Sequence, residues 1–245
     1  MGRAMHKENL PYHVFCRAIE GRPIFRSQED AYRFLFQMYA TNHGSPAFNL
    51  HRRDIQKAVK ALLAGEEMPR TFYVEKHKPL VHFLSFTEVV NHYHLLLLPN
   101  FENGIPLYMQ KLNTAFAKYF NLKYSRKGAL FEGHYKMIAI ETESQLDAII
   151  RYINVKNPLD VYQPGWREEG LKNKEEGWNF LFTYPFSSFP DIFGERNSKF
   201  LAPESIRSQF LDRESMYGKK SYEEFLKQPF HRDNDFQEIL LDKHV

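Results

Sequence analysis

The stretch Val89-Val90-Asn91-His92-Tyr93-His94-Leu95-Leu96-Leu97-Leu98-Pro99 decides how this chain is read. Side chains alternate along a β-strand, so residues i and i+2 leave the same face. The run of leucines marks a buried strand, expected over about Val90 to Leu98, with two imidazoles side by side on one face of it. Two nitrogens presented in this way suit a single metal ion. Tyr93 points to the opposite face. A bare His-x-His also fits a structural pair hydrogen-bonded in a polar patch, so the rest of the chain has to decide.

Upstream, Tyr12 to Ile19 reads as a first strand, turned by Gly21-Arg22-Pro23. Ser27 is placed to cap a helix over Gln28 to Asn42, where Ala31, Phe34, Leu35 and Met38 recur at helical spacing. A more charged helix around Asp54 to Leu63 falls between that helix and the next strands, which makes residues 44–70 an insertion. Strands are expected near Phe72 and from Leu80 to Thr87. Downstream, a loop leads to a long helix over about Pro106 to Tyr124, then a strand over Tyr135 to Ile140. Thr142 with Gln145 forms a capping box that opens another helix, with Leu146, Ile149, Ile150 and Ile153 as its apolar stripe. Tyr152 lies at the border of that stripe, from where it can reach a cleft. Asn157-Pro158 is expected to end the helix. Trp166 and Trp178 anchor the connection that follows, and Ser187-Ser188, without elbow glycines, is structural. Residues 193–245 are charged and mixed, with short helices near Pro203 to Phe210 and Tyr222 to Lys227.

The 245 residues suit one main domain, 1–192, and a C-terminal extension, 193–245. A hydrophobic share of 43% supports a real core, and the 22 Phe and 14 Tyr can pack that core or stack on unpaired bases. The net charge of +3 permits a nucleic-acid partner without proving one. Lys111, Lys118, Lys123, Arg126 and Lys127 meet few acids in their stretch. They form either an ordinary solvated face or a track for phosphates. The single cysteine, Cys16, excludes an internal disulfide and thiolate zinc sites, and it suits a reducing cytoplasm. The first residues lead into no apolar signal core, and no run approaches the ~20 apolar residues of a membrane span. A cytoplasmic protein is therefore expected.

Taken together, these pieces resemble the single-tyrosine HUH transposases, most closely the REP-associated tyrosine transposase branch, over roughly residues 10 to 193. The resemblance rests on five segments in the family's order. They are Tyr12-His13-Val14-Phe15-Cys16-Arg17 with Pro23-Ile24-Phe25; Asn91-His92-Tyr93-His94-Leu95-Leu96-Leu97; Tyr119-Phe120-Asn121 through Gly128-Ala129-Leu130-Phe131-Glu132-Gly133-His134-Tyr135-Lys136; Arg151-Tyr152-Ile153 with Asn157-Pro158; and Pro185-Phe186-Ser187-Ser188-Phe189. The implied fold is α+β, a central antiparallel sheet with helices on one face, ferredoxin-like or RRM-like.

The implied activity is cleavage and rejoining of hairpin-bearing single-stranded DNA. Tyr152 would be the nucleophile and a 5′-phosphotyrosine the intermediate. His92 and His94 would hold a divalent cation, Mg²⁺ or Mn²⁺, with an amide or carboxylate one turn after the tyrosine as third ligand. The family spacing places an asparagine at i+4 of the tyrosine. Here Lys156 occupies i+4 and Asn157 follows at i+5. Asn157 can ligate only if the last turn loosens, and Lys156 can instead meet phosphate or phenolate. His134 stands where relatives carry arginine. With Lys136, Lys156 and the basic stretch, it completes the expected DNA contacts. The resemblance leaves a homodimer open, and it also admits a non-cleaving hairpin-binding protein of the same fold. A zinc hydrolase fits poorly, because leucines rather than Asp-His follow the histidines and no His-Glu-x-x-His occurs.

Overall fold

A computed structural model describes residues 10–43, 54–67 and 78–211. Strands β1 (Tyr12–Arg17), β2 (Val81–Val89), β3 (His92–Pro99) and β4 (Lys136–Ala139) form one antiparallel sheet in the order β2-β3-β1-β4. Val90 and Asn91 turn the β2–β3 hairpin, so the histidine strand begins two residues later than its sequence suggests. Registers pair Phe15 with His94, His13 with Leu96, and Thr87 with His94. The expected strand near Phe72 and helix near Tyr222 lie outside the described residues.

Period-2 alternation gives β3 two buried faces. Tyr93, Leu95 and Leu97 join one core with Val14, Cys16 and Phe86. Helices α1 (Gln28–Asn42), α2 (Ile55–Leu63) and α3 (Gly104–Lys123) cover that side. Leu96 and Leu98 join a second core with Ile149, Ile153, Tyr152 and Trp166. It is covered by α4 (Glu143–Arg151), α5 (Asn157–Tyr162), the short α6 (Trp166–Glu169) and α7 (Lys174–Thr183). Helices therefore cover both faces of the sheet, not one. The central strand is apolar on both sides, and both sides have to be covered.

The expected capping box is present, and Ser27, expected only as an N-cap, forms a second one with Asp30. Ser27 and Asp30 open α1, and Thr142 and Gln145 open α4. The expected stop at Asn157-Pro158 is not a stop. A π turn over Tyr152–Lys156 links α4 to α5, and the Asn157 N–H donates to the Tyr152 carbonyl. An α-helical path would ask Pro158 for an N–H it lacks and press its ring on a carbonyl, whereas the wider turn accommodates it. Asn154 locks this turn to the sheet. Its amide donates to Ser85 Oγ and to the Ile150 carbonyl, both at 2.8 Å, and its oxygen accepts from Ser188 Oγ at 2.7 Å. Ser187-Ser188 is thus structural, as expected from the sequence.

The outer edge of β2 is also occupied. Glu88 N–H donates to Phe186 O, Ser188 N–H to Phe86 O, and Ala202 N–H to Phe83 O. Residues 193–211 run on against the body: Phe200 and Leu201 enter the first core, Ala202 and Leu211 the second. The short helix α8 (Phe189–Ile192) precedes that run, and α9 (Glu204–Arg207) lies within it.

Two buried acids lie on the α1 side. Burial alone would raise the Asp30 carboxyl, but hydrogen bonds from Lys123, Tyr124 and Tyr119 outweigh it and hold the group below its ordinary value. Glu88 has no such help, since neither carboxyl oxygen has a hydrogen-bond partner among the described residues. Burial, and secondarily the Asp30 charge, push it well above its ordinary 4.5. A group whose folded value is raised in this way costs nothing below its unfolded value and destabilises progressively as pH rises through the window above it. Glu88→Gln should therefore stabilise the protein at neutral pH and leave it nearly unchanged near pH 4. In paired chemical denaturations, the difference between variant and wild type should grow by up to about 1.4 kcal/mol per pH unit within the window. A difference that does not change with pH would show that Glu88 ionises freely in the folded state.

Candidate functional site

The second face of the sheet carries the chemistry. Arginine, phenylalanine and histidine from β1 (Arg17, Phe15, His13) share it with His92 and His94 from β3, as the register requires. The His92 and His94 rings lie 4.9 Å apart between centroids. Tyr152, from the π turn, meets His94 edge to face at 5.3 Å and lies 6.3 Å from His13. Tyr152 thus packs on His94, and His92 lies on the far side of that contact, beside His94. The setting differs from expectation: Tyr152 is 1% exposed, His92 5% and His94 0%, so the tyrosine lies within the second core and not at the lip of a cleft.

Hydrogen bonds fix the rings. Asn91 Oδ1 lies 2.6 Å from His92 Nδ1, while the Asn91 amide donates to the Gly21 carbonyl at 3.0 Å. His94 Nδ1 lies 2.8 Å from His13 Nε2. Burial holds His94 well below the ordinary imidazole range, helped by the positive potential of His92, His13, Arg167 and Arg17 around it. A neutral imidazole with Nδ1 engaged offers Nε2 to a metal, and two such rings fit a cation. Among the described residues no three His, Cys, Asp or Glu side chains gather into a metal-holding cluster. A cation here would complete its shell with water, phosphate or an amide.

Asn157 is the expected amide, and the π turn brings it round: one added residue per turn places i+5 roughly where i+4 falls in an α-helix. Its oxygen, however, accepts from Arg167 Nη2 at 3.0 Å. As the site stands, Asn157 serves Arg167. Lys156 is half-buried beside it.

Arg167 is the component the sequence did not reveal. It enters from α6, and its Cζ lies 5.2 Å from the centroid of the Tyr152 ring. Asp160 orients it, accepting from Arg167 Nε at 3.0 Å and from Trp166 Nε1 at 2.8 Å. Burial works against its charge, but Asp160 and the Tyr152 hydroxyl more than offset that, so the guanidinium stays cationic. The one available signal was Trp166-Arg167 six and seven residues after Asp160, and that spacing has no meaning until the chain folds back.

The expected DNA contacts divide into two groups. Lys123 is committed to the fold: its ammonium bonds Asp30 at 2.7 Å and Glu29 at 2.9 Å. Arg126 bonds Asn121 Oδ1 and the Ala129 carbonyl, both at 2.8 Å. The acids that oppose Lys123 come from α1, remote in sequence, and so escaped a reading of the local stretch. Lys118, Lys127, His134 and Lys136 are exposed, and Lys111 is half-buried. Cys16 is buried, and its thiol is pushed up to about 12, which makes it a poor nucleophile.

The fold and this face define an α+β protein with a two-histidine strand packed against a tyrosine-bearing π turn. No protein-family model and no curated protein matches the chain. Among solved structures, it is similar to a REP-associated tyrosine transposase bound to a REP hairpin, with a TM-score of 0.42 and 10% identity over 83% of this chain and 88% of that one.

If Arg167 and Asp160 act as one unit, removing either should cost nearly as much as removing both. In a double-mutant cycle with Arg167→Met and Asp160→Asn, urea denaturation should give a coupling of about 1 kcal/mol or more. Additive losses would show that Asp160 does not hold the guanidinium.

Proposed function

We propose that this protein cleaves and rejoins hairpin-bearing single-stranded DNA through a covalent 5′-phosphotyrosine formed on Tyr152. The observation that supports this reading most strongly is the packing of the Tyr152 phenol against His94, with His92 beside it and Arg167 over the same ring. A phenol with an ordinary pKa of ~10 attacks poorly at neutral pH unless charge on its oxygen is stabilised. Arg167 is placed to supply that stabilisation, and Asp160 aims it.

In the step, Tyr152 Oη bonds to phosphorus as the bond from phosphorus to the 3′ oxygen breaks. The phenolic proton is released, and the departing oxygen takes one up to become a 3′-hydroxyl. A different 3′-hydroxyl reversing the exchange joins strands without ATP. Mg²⁺ or Mn²⁺ held by His92 and His94 would neutralise charge at the pentacoordinate phosphorus. The positive surroundings of His94 make joint entry of cation and phosphate more favourable than entry of the cation alone.

The buried phenol requires the layer above it to move before a strand can enter. Helix α6, which carries Arg167, is bounded by Gly165 and Gly170, at φ of 82° and 79°. Glycine enters such backbone states at low cost and leaves them as readily, so the two residues suit a hinge. Lys111, Lys118, Lys127, His134, Lys136 and Lys156 would follow the backbone of the strand, in a binding mode that salt should weaken steeply.

The burial of Tyr152 favours a second reading, in which a protein of the same fold holds a DNA hairpin without cutting it. One experiment separates the two. Wild-type protein incubated with Mn²⁺ and a hairpin oligonucleotide carrying a single-stranded flank should form a denaturant-resistant adduct. Tyr152→Phe should abolish the adduct while hairpin affinity stays within about threefold, since in this reading the lost hydroxyl faces a phosphate and reads no base. Wild type that binds tightly without any adduct would establish the binding-only reading. An adduct that persists in Tyr152→Phe would move the nucleophile elsewhere.

A further inference from the structure

We infer that His13 is a positioning residue: by accepting a hydrogen bond from His94 Nδ1 it fixes the His94 tautomer and so completes the metal-binding nitrogen pair. The inference rests on the two-histidine reading above.

A neutral imidazole has one N–H and one lone pair, and only the lone pair can bind a metal. For His92 the structure settles which nitrogen is which. The Asn91 amide donates to the Gly21 carbonyl, so its oxygen is the atom 2.6 Å from His92 Nδ1. That oxygen can only accept, so His92 Nδ1 carries the hydrogen and Nε2 the lone pair. His94 has a less decisive partner, because a second imidazole can give or take the proton. His13 Nε2 lies 2.8 Å from His94 Nδ1 with both rings fully buried. If His13 donates, His94 Nε2 must carry hydrogen and cannot ligate. If His94 donates, its Nε2 lone pair matches that of His92. A working site therefore requires His13 as the Nδ1–H tautomer, accepting at Nε2.

The sheet holds the two rings in this relation. In the β1–β3 register Phe15 lies opposite His94 and His13 opposite Leu96, so the histidines are diagonal neighbours on one face. Phe15 stacks on both, at 5.0 Å from His13 and 5.5 Å from His94, with interplanar angles of 26° and 27°. This bond uses the Nε2 lone pair of His13, so His13 is not itself a ligand. Outer partners of this kind typically change metal affinity by about 10- to 100-fold when removed.

The test reads tautomer and affinity separately. Long-range ¹H–¹⁵N correlation spectra of the full chain should show wild-type His94 with hydrogen on Nδ1. Calorimetric titration with Mn²⁺ should show about tenfold or greater weakening in His13→Leu, and about threefold or less in His13→Gln, whose side-chain oxygen can still accept. The spectra of His13→Leu should show His94 losing its single tautomer. Hydrogen on Nε2 in wild type, or unchanged tautomer and affinity in His13→Leu, would overturn the inference. If His13→Leu does not fold, the wild-type spectrum and the comparison with His13→Gln still decide. Failure of wild type to bind Mn²⁺ would instead overturn the metal reading, while the wild-type spectrum would still judge the bond between the two histidines.

Discussion

The structure depends on one constraint, the two-sided burial of strand β3. Its odd residues, Tyr93, Leu95 and Leu97, and its even residues, Leu96 and Leu98, enter different cores. A slip of one residue would exchange the faces and bury the histidines among the aromatics of α1 and α3. Register with β1 and β2 is thus fixed by apolar burial. The site inherits that precision, because a chemically demanding pair of rings is carried by a strand whose position other residues determine.

The second structural decision is the π turn. In a plain α-helix Asn157, five residues after Tyr152, would lie off the tyrosine's face. The wider turn accommodates a proline where a helix would otherwise break, and Asn157 reaches Arg167, which packs on the Tyr152 ring. The buried Asn154 bonds to Ser85, Ile150 and Ser188 hold the widened turn to β2, so the irregularity is fixed by several partners. Arg167 then draws Asn157, Asp160 and the phenol into one cluster, with the cation held between a carboxylate and an aromatic face.

Much of this was legible in the sequence, for physical reasons that differ by element. Ser27 and Thr142 revealed their helices because capping is local chemistry, complete within four residues. The His-x-His face and the opposite orientation of Tyr93 followed from the strand period alone. What escaped was non-local. His13 reads as one residue of an ordinary strand until β1 pairs with β3. Arg167 has no recognisable spacing from the tyrosine. Lys123 seemed unopposed because Glu29 and Asp30 lie more than ninety residues away. The helix stop at Pro158 was misjudged because a local rule about proline gave way to a wider turn held by tertiary bonds.

The central claim is that a phenol and two imidazoles converge on one phosphorus. Crystals of the protein with a hairpin oligonucleotide and Mn²⁺ would test it most directly, through anomalous scattering from the metal. The account predicts a single strong peak bonded to Nε2 of both His92 and His94, with a backbone phosphate on the metal and Tyr152 Oη facing its phosphorus. Metal bound elsewhere, or a strand lying on the sheet with Tyr152 still enclosed in its core, would contradict it.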